Sequence, residues 1–338
     1  MCIRDRSYSK LVLFDQLVAS DVPEDPYLSK ELVRYFPQPL QAKYAKAMDG
    51  HRLKREIIAT AVTNSMVNRM GATFTLRMTE DTGRTSAEVA EAYTIARESL
   101  DARALWAQID ALDGTVSESV QIDALLVIWQ LMRTMSRWLL SRPGAMPEIT
   151  DAIERYGKGL NAVREAIPSA LSAPRRAAYD ARLAQWKAKG IAEPLAMELA
   201  ALPLLESGAD IVEISHARKL TPVDVARAYF ALGAALHLPW LYEQIEALPV
   251  DGRWQALARG ALRDELGTQQ RALVSQILST SGKAAPEAKV NAWLQRDDAT
   301  LRFTQTMLAD LLNQKVLDYP TVSVAVRRLA QVAASGAG

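Results

Sequence analysis

The chain has 338 residues, of which 49% are hydrophobic, and it carries 40 basic and 39 acidic side chains. This length and composition suit one large or two modest domains, and the near-neutral charge argues against a general attraction to nucleic acid or to an acidic membrane. Cys2 is the only cysteine, so an internal disulfide is excluded, and no apolar run approaches the ~18 residues that span a bilayer. We therefore expect a cytoplasmic protein with neither a membrane nor a nucleic acid as its partner.

The first seven residues, MCIRDRS, differ in character from the rest of the chain and lack the apolar centre of a signal peptide. They are similar to a translated sequencing-adapter remnant. Residues 1–7 are therefore predicted to be a non-native leader on a gene that is cut at its upstream side. The alternative is a genuine, disordered N-terminus.

A single long helix is predicted from His51 to Phe74, because apolar residues recur there at helical spacing. Asn64 and Asn68, spaced i and i+4, fall in the middle of one apolar side of this helix. We expect the helix to be deeply buried, so that both amides need hydrogen-bond partners. That side also carries Leu53, Ile57, Thr60, Ala61 and Val67, and a second apolar run carries Ile58, Val62 and Met66.

Helical periods continue along the rest of the chain, and only two short segments alternate in the manner of strands. These are Thr73–Met78 and Ile211–Ile214, for which we also favour helix. The predicted fold is therefore all-α, an irregular multi-helix bundle without a Rossmann sheet. Its helices are separated by proline- and glycine-containing breaks at residues 21–26, 37–39, 142–147, 168–174, 190–194, 249–252 and 279–286.

Two segments of the chain, Thr85–Leu112 and Thr221–Leu248, align without a gap. Each begins with a threonine followed three residues later by an acidic residue, which predicts a capping box at the start of a helix. We infer a duplication that gives two related helical units, each with a helical extension, at residues 51–190 and 191–335. The shared tyrosines, Tyr93 and Tyr229, are predicted to pack in the core. The other identical pairs include Val89/Val225, Ala90/Ala226, Ala92/Ala228, Leu105/Leu241 and Ile109/Ile245.

Residue types that carry catalysis or bind metals are sparse. The three histidines, His51, His216 and His237, lie far apart and have no helical ligand spacing. No glycine fingerprint for a nucleotide occurs, and Gly157–Gly159 is interpreted as a helix break and not as a phosphate loop. The sequence by itself therefore assigns no catalytic, cofactor-binding or metal-ligating residue to this chain.

A helix-turn-helix is an alternative interpretation of Thr79–Tyr93, with Gly83 in the turn. The helix that would enter DNA carries Glu88 and Glu91 and no basic residue, so phosphates would repel it. Structural pairing of helices is the favoured interpretation.

Asn64, Asn68 and Arg69 remain as candidates for a site. They are interpreted either as an amide pair that caps or bridges neighbouring helices or as a contact to another domain's active cleft. The first interpretation is favoured, and the second makes the three residues weak candidates for inter-domain contact.

Several segments resemble the C-terminal region of the large bacterial NAD-specific glutamate dehydrogenases. These segments are YSKLVLFDQLVASDVPEDPYL at Tyr8–Leu28, LVRYFPQPL at Leu32–Leu40, HRLKREIIATAVTNSMVNRMGATF at His51–Phe74 and DGRWQALARGALRDEL at Asp251–Leu266. The resemblance covers nearly everything after Ser7. It implies a parent enzyme that converts L-glutamate, NAD and water to 2-oxoglutarate, ammonium and NADH.

In that family the Rossmann cofactor domain and the catalytic lysine lie upstream of this region. The resemblance therefore implies that NAD belongs to the parent enzyme, that this chain alone is inactive, and that residues 8–50 follow a missing catalytic core. The implied partners are the catalytic core of the same polypeptide and further copies of the parent in a homo-oligomer.

The alternative from another class is a free-standing helical protein-interaction scaffold. It predicts that Val12, Leu13, Leu17 and Val18 pack on this chain's own core, whereas a missing partner would leave them exposed.

Overall fold

The protein is built from helices in the computed structural model, which describes residues 3–280, 282–314 and 316–335. Those residues contain no strand, so the all-α prediction is confirmed, and both strand-like segments are helical. The contacts divide the chain into two compact units, Met1–Gly157 and Lys158–Gly338. The predicted boundary at residue 190 was set by the sequence repeat and stays a prediction. Of the predicted leader, Met1 and Cys2 lie outside the described residues, and Ile3 begins the first helix.

The helices of the first unit surround a buried central helix, α6. A short 3-10 turn at Val22–Glu24 follows the first helix. In chain order the helices are α1 at Ile3–Val18, α2 at Lys30–Tyr35, α3 at Gln38–Asp49, α4 at Lys54–Met70, α5 at Phe74–Thr82, α6 at Ser86–Ser99, α7 at Ala102–Asp110 and α8 at Glu118–Leu140.

Helix α9, at Ile149–Ala170, runs from the end of the first unit into the second, where the remaining helices follow. They are α10 at Ala173–Ala188, α11 at Glu193–Ala201, α12 at Gly208–Arg218, α13 at Pro222–Ala235, α14 at Leu238–Ala247, α15 at Arg253–Ser279, α16 at Pro286–Leu294, α17 at Ala299–Leu311 and α18 at Tyr319–Ser335.

The prediction of one helix from His51 to Phe74 is wrong at both ends. Helix α4 begins at Lys54 and ends at Met70, because Gly71 adopts a φ of 94° that a helix cannot continue through. The expectation that the whole helix is deeply buried is wrong for part of its surface. The second apolar run faces the core, where α4 packs on α1 and α2, whereas Leu53 and Asn68 on the other side are exposed.

The two aligned segments share one helical plan, α6–α7 in the first unit and α13–α14 in the second. In each pair the residue between the helices is left-handed, Asp101 with a φ of 52° and His237 with a φ of 53°. Thr85 forms the complete predicted capping box with Glu88, and Thr221 caps α13 by accepting from the backbone N–H of Asp224. The repeat therefore specifies local backbone geometry as well as apolar pattern.

The predicted helix break at Gly157–Gly159 is wrong, because α9 passes through all three residues. Gly159 of α9, together with Gly208 of α12, instead permits close packing between the two helices. A β-carbon at Gly159 would lie 2.4 Å from Cγ2 of Val212, and one at Gly208 would lie 2.3 Å from Cδ2 of Leu160. Glycine at these positions lets α9 and α12 approach more closely than side chains would allow.

Candidate functional site

The residues singled out from the sequence lie on the exposed side of α4. Asn64 is half-buried and Asn68 is exposed, so the expectation of a buried amide pair is wrong. Arg69 packs its guanidinium 4.7 Å from the centre of the Trp106 ring and lies 3.5 Å from the carboxylate of Asp110. The structure thus places Arg69 against α7 and leaves both amides near solvent.

A buried ion-pair network in the first unit is centred on Arg97 of α6. Its guanidinium donates to Glu31 at 2.9 Å, to Glu98 at 2.7 Å and to the hydroxyl of Ser65 at 3.2 Å. Arg103 donates to the same two carboxylates, at 2.7 Å to Glu31 and 3.1 Å to Glu98. The network therefore joins α2, α4, α6 and α7.

The charges in this network stabilise one another. Burial alone would lower the pKa of Arg97, but Glu98 and Glu31 outweigh it and raise that pKa. Burial alone would raise the pKa of Glu98, but Arg97 and Arg103 lower it overall. Burial raises the pKa of Tyr93, so its hydroxyl stays protonated and shares a 2.8 Å hydrogen bond with Ser65.

The second unit contains a different polar cluster around Asp210 of α12. Its carboxylate accepts from Arg271 at 2.5 Å and from the hydroxyl of Tyr229 at 3.0 Å. Burial, followed by the charge of Asp210, raises the pKa of Tyr229 well above its usual value. Nearby, Arg263 donates to both Glu206 and Glu246. Both clusters join helices through ion pairs and hydrogen bonds.

Tyr93 and Tyr229 occupy equivalent repeat positions, and the prediction that they pack in the core is confirmed. Their hydroxyl partners differ and were not predicted. Tyr93 bonds to Ser65 of α4, whereas Tyr229 bonds to Asp210 of α12. The partners lie 28 and 19 residues away in sequence, so the helical pattern around each tyrosine held no signal for them.

Arg84, between α5 and α6, closes the C-terminal end of α8. Its guanidinium donates to the carbonyls of Leu140, Arg142 and Gly144 at 3.1, 2.6 and 2.8 Å, and to Glu88 at 2.7 Å. The last carbonyls of a helix lack intrahelical hydrogen-bond donors. The single guanidinium of Arg84 supplies donors to these carbonyls and to those of the loop that follows.

Glu91 of α6 is a half-buried acid whose pKa is raised. Burial, with smaller contributions from Asp21, Asp25 and Glu88, raises the pKa of Glu91 to about 7. A negative charge at this position is therefore disfavoured.

The proposed recognition helix of the helix-turn-helix is α6. Within its Thr85–Tyr93 segment, Val89, Ala90, Ala92 and Tyr93 are buried in the core of the first unit. The described ranges hold no group of three or more His, Cys, Asp or Glu side chains placed for a metal ion. Within the same ranges, no helix combines the length and apolar character that crossing a membrane requires.

Both units are all-α among the described residues, and each contains a polar cluster in which ion pairs join neighbouring helices. The sequence profile of the family described as "Glutamate dehydrogenase, C-terminal" matches residues 6–331. The chain therefore belongs to the family of glutamate dehydrogenase C-terminal regions.

Three relatives, each named NAD-specific glutamate dehydrogenase, match almost the whole chain. The relative from Pseudomonas aeruginosa is 37% identical over 331 residues, and the one from Halomonas elongata is 35% identical over 330 residues, in both cases 97% of this chain. The relative from Mycobacterium tuberculosis is 26% identical over 326 residues, or 96% of this chain. The chain spans only 20% of the length of each relative.

These matches do not favour the free-standing scaffold. The four N-terminal residues that a free-standing scaffold would bury on its own core differ in exposure. Leu13 and Leu17 are buried within the unit, Val18 is half-buried and Val12 is exposed. Helix α1 is thus docked by one side, and the other side presents apolar residues to solvent.

Proposed function

We propose that this chain is the C-terminal helical domain of an NAD-dependent glutamate dehydrogenase and has a structural or regulatory role in it. The parent reaction would convert L-glutamate, NAD and water to 2-oxoglutarate, ammonium and NADH. The observation that carries the proposal is the match of 97% of the chain to a fifth of relatives with that name.

The chain alone is proposed to be inactive and to bind no NAD. The polar clusters support this, because their arginines and carboxylates are engaged with one another and join helices. The test is NADH formation by the purified chain at saturating glutamate and NAD. Measurable turnover would contradict the proposal.

The proposed partner is the catalytic core of the same polypeptide. Helix α1 supports this with an exposed apolar stripe of Tyr8, Leu11 and Val12. Asn64, Asn68 and Arg69 remain candidates for a second contact. A parent polypeptide carrying Leu11→Ser is expected to lose activity or assembly, while the same change in the isolated chain leaves its helix content unchanged. Equal activity of the variant and the unaltered parent would contradict this role of α1.

A homo-oligomeric parent and a cytoplasmic location complete the proposal. The location is supported by the single cysteine of the chain. Sedimentation of the full-length parent would test the oligomer, and a sedimentation coefficient of a monomer would contradict it.

A further inference from the structure

Helix α3 of the first unit is exposed along nearly its whole length. Within residues 37–47 only Gln41 is half-buried, and Met48 is the one buried residue of the helix. A helix of 12 residues is marginal in water unless other elements pack on it. The exposed side chains include Leu40 and Tyr44, at 40% and 45%, and these two residues form an apolar stripe, the α3 stripe.

The border of the α3 stripe is basic. Lys43 and Lys46 are exposed, and neither forms an ion pair within the described ranges of the chain. The ammonium of Lys43 lies 5.2 Å from the centre of the Tyr44 ring, so positive charge adjoins the apolar side chains. Asp49, the acidic residue of this helix, pairs with Lys54 at 2.6 Å. A partner that covers the stripe should therefore be apolar with an acidic border.

Helix α8 carries that combination near its start. Glu118, Ile122 and Leu126 are spaced four residues apart, so they lie on one side of the helix, the α8 stripe. All three are exposed, Ile122 by 47% and Leu126 by 55%. Asp113, in the turn before the helix, is exposed as well. The α8 stripe therefore complements the α3 stripe in both apolar character and charge.

One copy of the chain keeps the two stripes apart. Phe36 and His51, which flank α3, have ring centres 6.0 Å apart near the start of α4. Trp129 of α8 instead donates to the carbonyl of Met70, the last residue of α4, at 2.9 Å. The 17 residues of α4 span about 25 Å. The stripes thus lie toward opposite ends of α4, and both stay exposed.

We infer that the chain forms a dimer in which the α3 stripe of each copy packs on the α8 stripe of the other. Apolar side chains leave water at this contact, and Lys43 lies opposite Glu118 of the second copy. A two-fold arrangement makes the same contact twice, which doubles the area that a single pair of stripes buries. The inference concerns the chain alone and does not depend on its proposed role in a dehydrogenase.

Sedimentation velocity of the chain over a range of concentrations measures the dimer. We expect a monomer–dimer equilibrium that weakens as salt is added. Lys43→Glu and Glu118→Lys should each raise the dimer dissociation constant roughly hundredfold, because like charges then meet at both contacts. Lys283→Glu is the control. It makes the same change of charge at an exposed lysine of the second unit, and the dissociation constant should be unchanged.

Mixing the two charge variants gives a second, independent measurement. An equimolar mixture of Lys43→Glu and Glu118→Lys should form dimers again, because every contact in a mixed pair joins opposite charges. Leu126→Ser should weaken the dimer through the apolar part of the contact without lowering the helix content seen by circular dichroism.

A chain that stays monomeric at every concentration would overturn the inference. So would equal dissociation constants for Lys43→Glu and Lys283→Glu, or a mixture that dimerises no better than either charge variant alone.

Discussion

Gly159→Ala gives a direct measure of how closely α9 and α12 approach. The added β-carbon would lie 2.4 Å from Cγ2, 2.9 Å from Cγ1 and 3.2 Å from Cβ of Val212. Favourable contacts between carbon atoms lie at about 3.5–4.0 Å. Rotation of the valine cannot relieve the clash because both methyl groups and the branching carbon are involved, so one helix backbone must shift.

The expected cost follows from two opposing effects. Overpacking of a core costs about 1–3 kcal/mol, and the severity of this contact indicates the upper end. Alanine gains about 1 kcal/mol over glycine within a helix. The net loss in the free energy of unfolding is therefore about 2 kcal/mol, measured by urea denaturation followed by far-ultraviolet circular dichroism.

Gly157→Ala is the matched control in the same helix. Its added β-carbon would meet only the Cα of Ser99, at 3.9 Å, which is ordinary contact. This variant should gain up to about 1 kcal/mol from helix propensity. If Gly159→Ala were as stable as Gly157→Ala, the argument for close approach would be refuted. The double variant Gly159→Ala, Val212→Ala should recover at least about 1 kcal/mol relative to additivity, because the clashing methyl groups are gone.

Three further predictions concern the polar groups. Glu91→Gln should be more stable than the unaltered chain at pH 8 and similar at pH 4. The reason is that the pKa of Glu91 in the folded chain, about 7, lies above its value in the unfolded chain. The folded state therefore loses stability as the pH rises from the unfolded pKa to the folded pKa. The pKa shift corresponds to about 3 kcal/mol, which solvent screening reduces to about 1–2 kcal/mol. The measurement is urea denaturation at several pH values, and a parallel loss of unfolding free energy in both proteins between pH 4 and pH 8 would contradict the idea. Arg84→Met should cost about 2–3 kcal/mol and speed hydrogen exchange in residues 140–147, because three carbonyls lose their donor; unchanged exchange there would count against the capping role. Tyr229→Phe should cost about 1–3 kcal/mol, since the buried carboxylate of Asp210 loses the hydroxyl donor of Tyr229. A denaturation midpoint equal to that of the unaltered chain would show that this hydrogen bond contributes nothing.

The helical pattern was accessible from the sequence because it is local. Thr85 and Glu88 lie three residues apart, so their capping box can be recognised without knowledge of the fold. The aligned repeats likewise identified the helix pairs and the tyrosines that pack in the core. Family membership was accessible for a related reason, since long motifs such as that at His51–Phe74 are specific in their order of residues.

The tertiary structure decided which side of each helix is buried and which charges meet. Periodicity gave α4 two apolar sides, and only the packing of α1 and α2 selected the one that carries Ile58 and Met66. Glu31 pairs with Arg97 and Arg103, which lie 66 and 72 residues away in sequence. Helical spacing does not predict contacts over such separations. The same holds for the close approach at Gly159, because it arises where α9 and α12, which are distant in sequence, come into contact.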